Sequence, residues 1–382
     1  MPSVLYALIP AMQVNPRYYI TGGTSYCLRR IRGFLDKESA DAALFTRNDN
    51  FSWLSCGHYA FVDKSSESAV CILLVTRDKM VVFCNSSEMY RIPEEELRGI
   101  PFTPIDYRWN SDVDKLIREY CKGMRVVSDS GSFETENRFL DLSRLRYVHT
   151  DEEISRYREI GPLIGGIVED CVRNIKPGQT EYEIAGVISG SLMAIGCQVP
   201  VCLVASDERI LKYRHPLPTD KKLSSIALAG ICAQKYGLTV SLSRMISFSP
   251  LNGETKRKFN AISKIDAAYI HATVNGALAG DVVKTGKAMY DEMGFSEDFF
   301  LHHQGGALGY ATRYYCATEH DNNIVMNGQA FSWNPTIAGV KSEDTFLVFG
   351  EDQEIISSGG KWPQSVIEIS GKTYSRPEIL VI

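Results

Sequence analysis

The order of apolar and polar positions divides the chain into stretches of different period. From Arg29 to Ala43 apolar residues recur at helical spacing, which predicts an amphipathic helix. Ala42–Thr46, Ala69–Thr76 and Met80–Cys84 read as strands. Ala69–Thr76 is almost wholly apolar, as a strand covered on both faces should be. Arg77-Asp78-Lys79 is a short polar turn that makes a hairpin of the last two runs. Asp112–Lys122 predicts a helix and Met124–Ser128 a further strand. The first 30 residues, with Tyr18, Tyr19, Gly22 and Gly23, read as an irregular arm. Together these make a small α/β domain over residues 1–148.

The remainder, 149–382, is patterned differently. Thr150 with Glu153 spells a capping box, in which hydroxyl and carboxylate each satisfy an open backbone donor. The helix it opens should run to about Ile175 and stop at Lys176-Pro177-Gly178. Thr180 with Glu183 opens a second helix, with Gly196 as its C-cap. Strand-like runs follow at Val199–Ala205, Ser225–Ala233 and Leu238–Phe248, then helices near Glu254–Leu278 and Val282–Met293. Strands return at Gln329–Trp333 and Thr345–Phe349. The sequence helix, glycine turn, helix, strands thus occurs twice, a faint repeat of element order.

Composition narrows the function classes. With 44% hydrophobic and 23% charged residues the chain is ordinary globular material, and its 382 residues can bury a large core. A net charge of −5 gives no reason to expect nucleic acid or an anionic membrane as partner. The ten cysteines include no C-x-x-C pair, so neither a zinc ribbon nor a thioredoxin motif is present; reduced, mostly buried thiols are expected. No basic region precedes the short apolar run at the N-terminus, which Pro10 interrupts, and no run approaches the ~18 apolar residues of a spanning helix. A cytoplasmic protein is the expectation.

Five stretches, in order, resemble the pita-bread hydrolases: methionine aminopeptidase, prolidase, Xaa-Pro aminopeptidase and creatinase. They are Glu152-Glu153-Ile154 with Ile175–Glu181, the strand pair Ser225–Phe248, His302-His303-Gln304-Gly305-Gly306, Phe331-Ser332-Trp333-Asn334-Pro335, and Gly339–Thr345. The likeness covers about 150–350; the first domain resembles the creatinase-type N-terminal domain more loosely. The implied fold is α+β, a smaller α/β domain preceding a pita-bread domain. The resemblance also implies a homodimer.

In the metallopeptidases of that family two Asp, one His and two Glu hold two metal ions, which activate a water. Carried over residue by residue, these ligands fall on Gly230, Ser241, His303, Asn334 and Glu343. A further family histidine falls on Tyr310. Only His303 and Glu343 are kept, so neither a bound metal nor any other cofactor is expected. Creatinase hydrolyses a C–N bond with a histidine as general acid and base, and the matching residue is His215. Its carboxylates for a cationic guanidinium correspond to Ser243 and Asn334, so creatine itself does not fit.

Side chains alternate along strands, so Gly230 and Cys232 should share a face with Ser241 and Ser243. Arg214, Arg244, Arg313 and Lys341 lie close by in sequence, and the resemblance implies a carboxylate grip for Arg313, which lies one residue out of register from creatinase's arginine for its substrate's carboxylate. Cys232 is a possible nucleophile that the bland reading, a buried strand thiol, outweighs. Of His302 and His303, only one should enter the pocket if the segment is extended.

The leading expectation is a metal-independent hydrolase of a small carboxylate-bearing substrate. In it His215 is acid and base, His303 and Glu343 orient substrate or water, and Arg313, Ser241, Ser243, Asn334 and Tyr310 bind. The alternatives are a catalytically inactive ligand- or partner-binding protein, and an Xaa-Pro peptidase with one weak metal at His303 and Glu343.

Overall fold

A computed structural model describes residues 21–382, so Tyr18 and Tyr19 of the expected arm lie outside the described residues. Gly23 belongs to no arm: it lies in a helix, Thr21–Glu38, that starts earlier than expected and ends before the strand Ala42–Arg47. Cys27, Ile31, Phe34 and Leu35, at i, i+4, i+7 and i+8, form its buried stripe.

The first sheet has six strands in spatial order Thr103–Tyr107, Met80–Asn85, Ser68–Thr76, Ala42–Arg47, Val126–Ser128 and Glu136–Asn137. The anticipated hairpin is present, with Val75 opposite Met80. Both faces of its central strands are covered. Ala43, Leu73, Val75 and Val82 pack into the main core, while Ala42, Leu44, Leu74, Val81 and Phe83 pack around Ile117. Ile117 comes from the helix Val113–Tyr120, whose N-cap Asp112 accepts from the Lys115 amide at 3.0 Å.

Both capping boxes form. They open the helices Asp151–Arg173 and Glu181–Ala194, and Gly196 takes the left-handed conformation (φ +81°) after the second. The longer helix packs unusually close to the chain beyond it. A Cβ added at Gly161 would lie 2.4 Å from the Ile356 carbonyl oxygen, and one at Gly165 would lie 2.3 Å from that of Ser357.

Among the described residues this part holds, beside two two-stranded sheets, Thr336–Ile337 with Val340–Lys341 and Gln364–Ile369 with Lys372–Pro377, two four-stranded ones. One orders Leu380–Val381, Leu238–Ser247, Ile226–Lys235 and Gln198–Ser206; the other orders Gly305–Leu308, Ala330–Trp333, Asp344–Phe349 and Asp352–Ile355. A second helix pair, Gly253–Ala272 and Ala279–Glu292, packs with them. The first helix of this pair stops short of the expected Leu278. Thr273 ends it by donating to the Tyr269 carbonyl while accepting from the Trp333 indole at 2.9 Å. Among the described residues no helix is long and apolar enough to cross a membrane.

The strands Ile226–Lys235 and Leu238–Ser247 form a hairpin whose two-residue turn, Tyr236-Gly237, has positive φ at both positions. The first part of the chain docks on this tip. Gly57 lies against the Tyr236 backbone so closely that an added Cβ would sit 2.6 Å from its carbonyl oxygen, and the Gly237 amide donates to the Tyr59 hydroxyl at 3.1 Å.

Candidate functional site

The hairpin register puts Gly230 opposite Ser243 and Cys232 opposite Ser241. Directly paired residues share a face, so these four form one patch, as the alternation implied. A Cβ added at Gly230 would lie 3.3 Å from Ser243 Oγ. Ser241 Oγ donates to Cys232 Sγ at 3.1 Å, and its backbone pairs with the Thr345 hydroxyl. Burial, reinforced by the Glu343 charge, pushes the Cys232 thiol up, so it is the protonated thiol rather than a nucleophile.

Glu343 anchors the patch. Its Oε2 accepts from Ser243 Oγ at 2.8 Å and lies 3.3 Å from Lys341 Nζ; its Oε1 lies 3.3 Å from both Arg313 Nη2 and Ser332 Oγ. Four donors thus meet a carboxylate with about four lone-pair positions. Burial alone would raise the Glu343 pKa. Lys341 and Arg313, with Ser243, overcome it and hold the carboxyl below its ordinary range. Lys341 is an addition to the expected site, and its place beside Glu343 in sequence was the available signal.

Beside this cluster stand three imidazoles. His215 Nε2 lies 2.8 Å from His302 Nε2, and the His302 and His303 rings stack with centroids 4.4 Å apart. His215 and His303 rings are 5.7 Å apart. The expectation that only one of His302 and His303 enters the site is corrected. The pair sits in a bend before the strand Gly305–Leu308, where strand alternation does not apply. His302, buried between its neighbours, is the residue the sequence reading undervalued.

Two devices bring these loops together. Arg214 donates to Asp298 Oδ1 at 2.7 Å, tying the His215 loop to the short helix Ser296–Phe299 just before the histidine pair. The Gln304 amide donates to the Phe299 and His302 carbonyls at 2.9 and 2.8 Å, which fixes the bend from within. The bend then needs Gly305 (φ +112°), where an added Cβ would meet the Ser332 carbonyl oxygen at 2.3 Å.

All three imidazoles resist protonation. Burial is the largest cause for each, and positive charge adds to it. His302 is pushed down to about 2 with Lys341 as the next contributor, and His303 to about 4 with Arg313 and then Lys341. His215 is lowered by burial and Lys341 against an opposing pull from Glu343.

Other expected site residues stand elsewhere or in other roles. The Tyr310 hydroxyl is buried and donates to Glu153 Oε1 at 2.6 Å, within the capping box, so its polar end is committed away from the imidazoles. Asn334 is buried and its Oδ1 has no protein partner; the same holds for Arg313 Nε. Arg244 turns to the opposite side of its strand and joins Glu169 and Asp344.

Comparison with known proteins gives a consistent picture. Residues 28–160 match the creatinase/prolidase N-terminal domain. An uncharacterized peptidase of Staphylococcus aureus (strain MW2) is 23% identical over 353 residues, spanning 85% of this chain and 96% of its own. Among solved structures, an Xaa-Pro dipeptidase from Bacillus anthracis superposes with a TM-score of 0.74 at 15% identity, covering 94% of this chain and 100% of its own. The N-terminal domain of the FACT complex subunit SPT16 from Cicer arietinum (chickpea) superposes with a TM-score of 0.65 at 13% identity, covering 88% and 97%. Residues 155–350 match the metallopeptidase family M24.

Proposed function

The chain belongs to metallopeptidase family M24, and we propose that it is a metal-independent hydrolase cleaving a C–N bond in a small carboxylate-bearing substrate. His215 is its general acid and base. One observation carries the reading: beside three neutral imidazoles, two cations, Arg313 and Lys341, face a single carboxylate, Glu343. The surplus positive charge suits an anionic substrate group and opposes a cationic one.

The same arrangement fits poorly with the two metal ions of the family's peptidases. Glu343 has given its lone pairs to the chain's own donors, Gly230 brings no ligand and leaves little room for one, and Ser241 and Asn334 offer only neutral oxygens. The single-metal alternative at His303 and Glu343 meets the same objection at Glu343.

In the proposed reaction a water attacks the carbonyl carbon while His215 takes its proton. The imidazolium then gives that proton to the departing nitrogen as the C–N bond breaks, yielding an acid and an amine. Arg313 holds the substrate carboxylate, and Lys341 stabilises the developing oxyanion. Ser241, Ser243 and Asn334 frame the pocket, the Asn334 Oδ1 being an acceptor for a substrate N–H. His303 orients the water, and Glu343 acts as a positioning residue for its two cations.

A second reading is a non-catalytic ligand-binding pocket. The saturated Glu343 carboxylate favours it, because no free carboxylate is left to activate a water.

The test is turnover in the presence of a chelator across Xaa-Pro dipeptides, guanidino acids and N-acyl amino acids. Release of amine, abolished in His215→Ala, is the expected result. Turnover only after manganese, cobalt or zinc is supplied would sink the metal-independent reading. Ligand-induced stabilisation without product would favour the second.

A further inference from the structure

His215, His302 and His303 together hold an arrangement that the proposed hydrolysis does not require. One ring nitrogen from each lies within 4.8 Å of the others. Tetrahedral coordination by imidazoles at about 2.0–2.1 Å puts ligand nitrogens about 3.3 Å apart. The closest pair here, 2.8 Å between the Nε2 atoms of His215 and His302, needs to open by only about half an ångström. The widest pair, at up to 4.8 Å, has to close by as much as about 1.5 Å, and because Arg214–Asp298 anchors the loop, that movement falls to the side chains of the exposed His215 and His303.

We propose that His215, His302 and His303 form a mononuclear site for a borderline transition-metal ion of the zinc, cobalt or nickel class. This ligand set differs from that of the family's metallopeptidases, since His303 alone is common to both. Three neutral nitrogen donors select such ions over magnesium, calcium and manganese, which want carboxylates. The hydrogen bond between the two Nε2 atoms puts a proton on one of them, so that ring binds the ion only after shifting the proton to its Nδ1. His215 and His303 reach solvent, which leaves a fourth position open. Lys341 and Arg313 oppose a dication in this place, but their surplus charge favours an anion as the fourth ligand. The proposal rests on the histidine geometry; an ion on His215 would occupy the lone pair its proposed role as general base requires, so metal binding would inhibit that hydrolysis.

The experiment is a titration of the untagged full chain with Co²⁺, followed by visible absorption, then competition with Zn²⁺ and Mn²⁺. One ion per chain should bind with a low-symmetry spectrum lacking thiolate charge transfer, and Zn²⁺ should displace it where Mn²⁺ does not. Loss of an outer partner of a ligand lowers metal affinity roughly 10- to 100-fold, so loss of a ligand itself should lower it by about 100-fold or more. That drop is expected in both His302→Ala and His215→Ala, and the Cys316→Ser variant, which removes an exposed thiol, should bind unchanged. If His302→Ala fails to fold, His215→Ala decides. Absence of binding, affinity unchanged in His215→Ala, or Mn²⁺ binding as tightly as Zn²⁺ would each overturn the proposal.

Discussion

Two faces of the same strands carry two clusters of cations and carboxylates, and they are built on opposite plans. Alternation sends Ser243 and Glu343 one way and Arg244 and Asp344 the other. On the rear side Arg244 bonds Glu169, Asp344 and the Ser357 carbonyl, and Arg376 reaches Asp266 and Asp344. Three carboxylates there surround two guanidiniums, all buried. Burial pushes Asp266 up to about 6, against Arg376 and Ser342, so the acid surplus is softened by a proton only as the pH falls towards 6. On the front side the balance is reversed, with two cations to one carboxylate, and imidazoles and solvent lie beside it. The rear cluster matches its cations with carboxylates, although Glu169 Oε2 and Arg376 Nε and Nη1 find no hydrogen-bond partner there. The front one is left wanting negative charge, and this difference separates a structural network from a candidate binding site.

The sharpest way to break the contrast is to remove a rear cation. Arg244→Met, which strands Glu169 while Asp344 keeps Arg376 and Ser357, should cost about 3–5 kcal/mol in denaturant unfolding. A loss below about 1 kcal/mol would mean that the rear cluster is no keystone.

Next comes His215→Ala at the front. Turnover should fall on the order of 100-fold or more, with a loss of stability of about 1 kcal/mol from the unpaired His302 Nε2. A loss above about 3 kcal/mol would make the residue structural.

Lys341→Met tests the surplus charge itself. It should destabilise by about 2 kcal/mol, less than the rear change because Arg313 still faces Glu343, and should weaken the binding of carboxylate ligands. Tighter binding of carboxylates in this variant would refute the electrostatic reading.

The smallest effect concerns pH. His302 has a folded pKa lowered to about 2, so below the ordinary histidine value near 6.5 the unfolded chain binds a proton that the folded chain refuses. Its contribution is complete above about pH 6.5 and is lost on acidification, at about 1.4 kcal/mol per pH unit. Unfolding measured at pH 7 and at pH 5.5 should show a slope that His302→Gln reduces, the remainder coming from the other lowered histidines; an identical slope in that variant would place its origin elsewhere.

The difference between the faces also explains what could be read from the sequence. Capping boxes, the first hairpin and the shared face of Gly230, Cys232, Ser241 and Ser243 depend on local spacing, and local spacing is written directly in the chain. The partner of Arg214 was not legible, because Asp298 lies 84 positions away and meets it only after two loops fold together. Tyr310 was assigned to the pocket through the histidine it replaces. Its longer side chain reaches Glu153 instead, a contact that spacing cannot foretell. His302 was misjudged because strand alternation was applied to a bend. The helix beginning at Thr21 was started late because Gly22 and Gly23 discourage a helical reading, which tertiary burial from Cys27 onward overrides.

The docking of Gly57 and Tyr59 on the hairpin tip has a mechanical consequence. Tyr236-Gly237 ends the two strands that carry the pocket patch, and from Gly230 to the tip is about 20 Å of extended chain. The first part of the molecule therefore grips the far end of a lever whose near end is the pocket floor. A side chain at position 57 would push on that lever without touching the site. The tip of the hairpin that carries the patch is thus held by a region of the chain that contributes no residue to the patch itself.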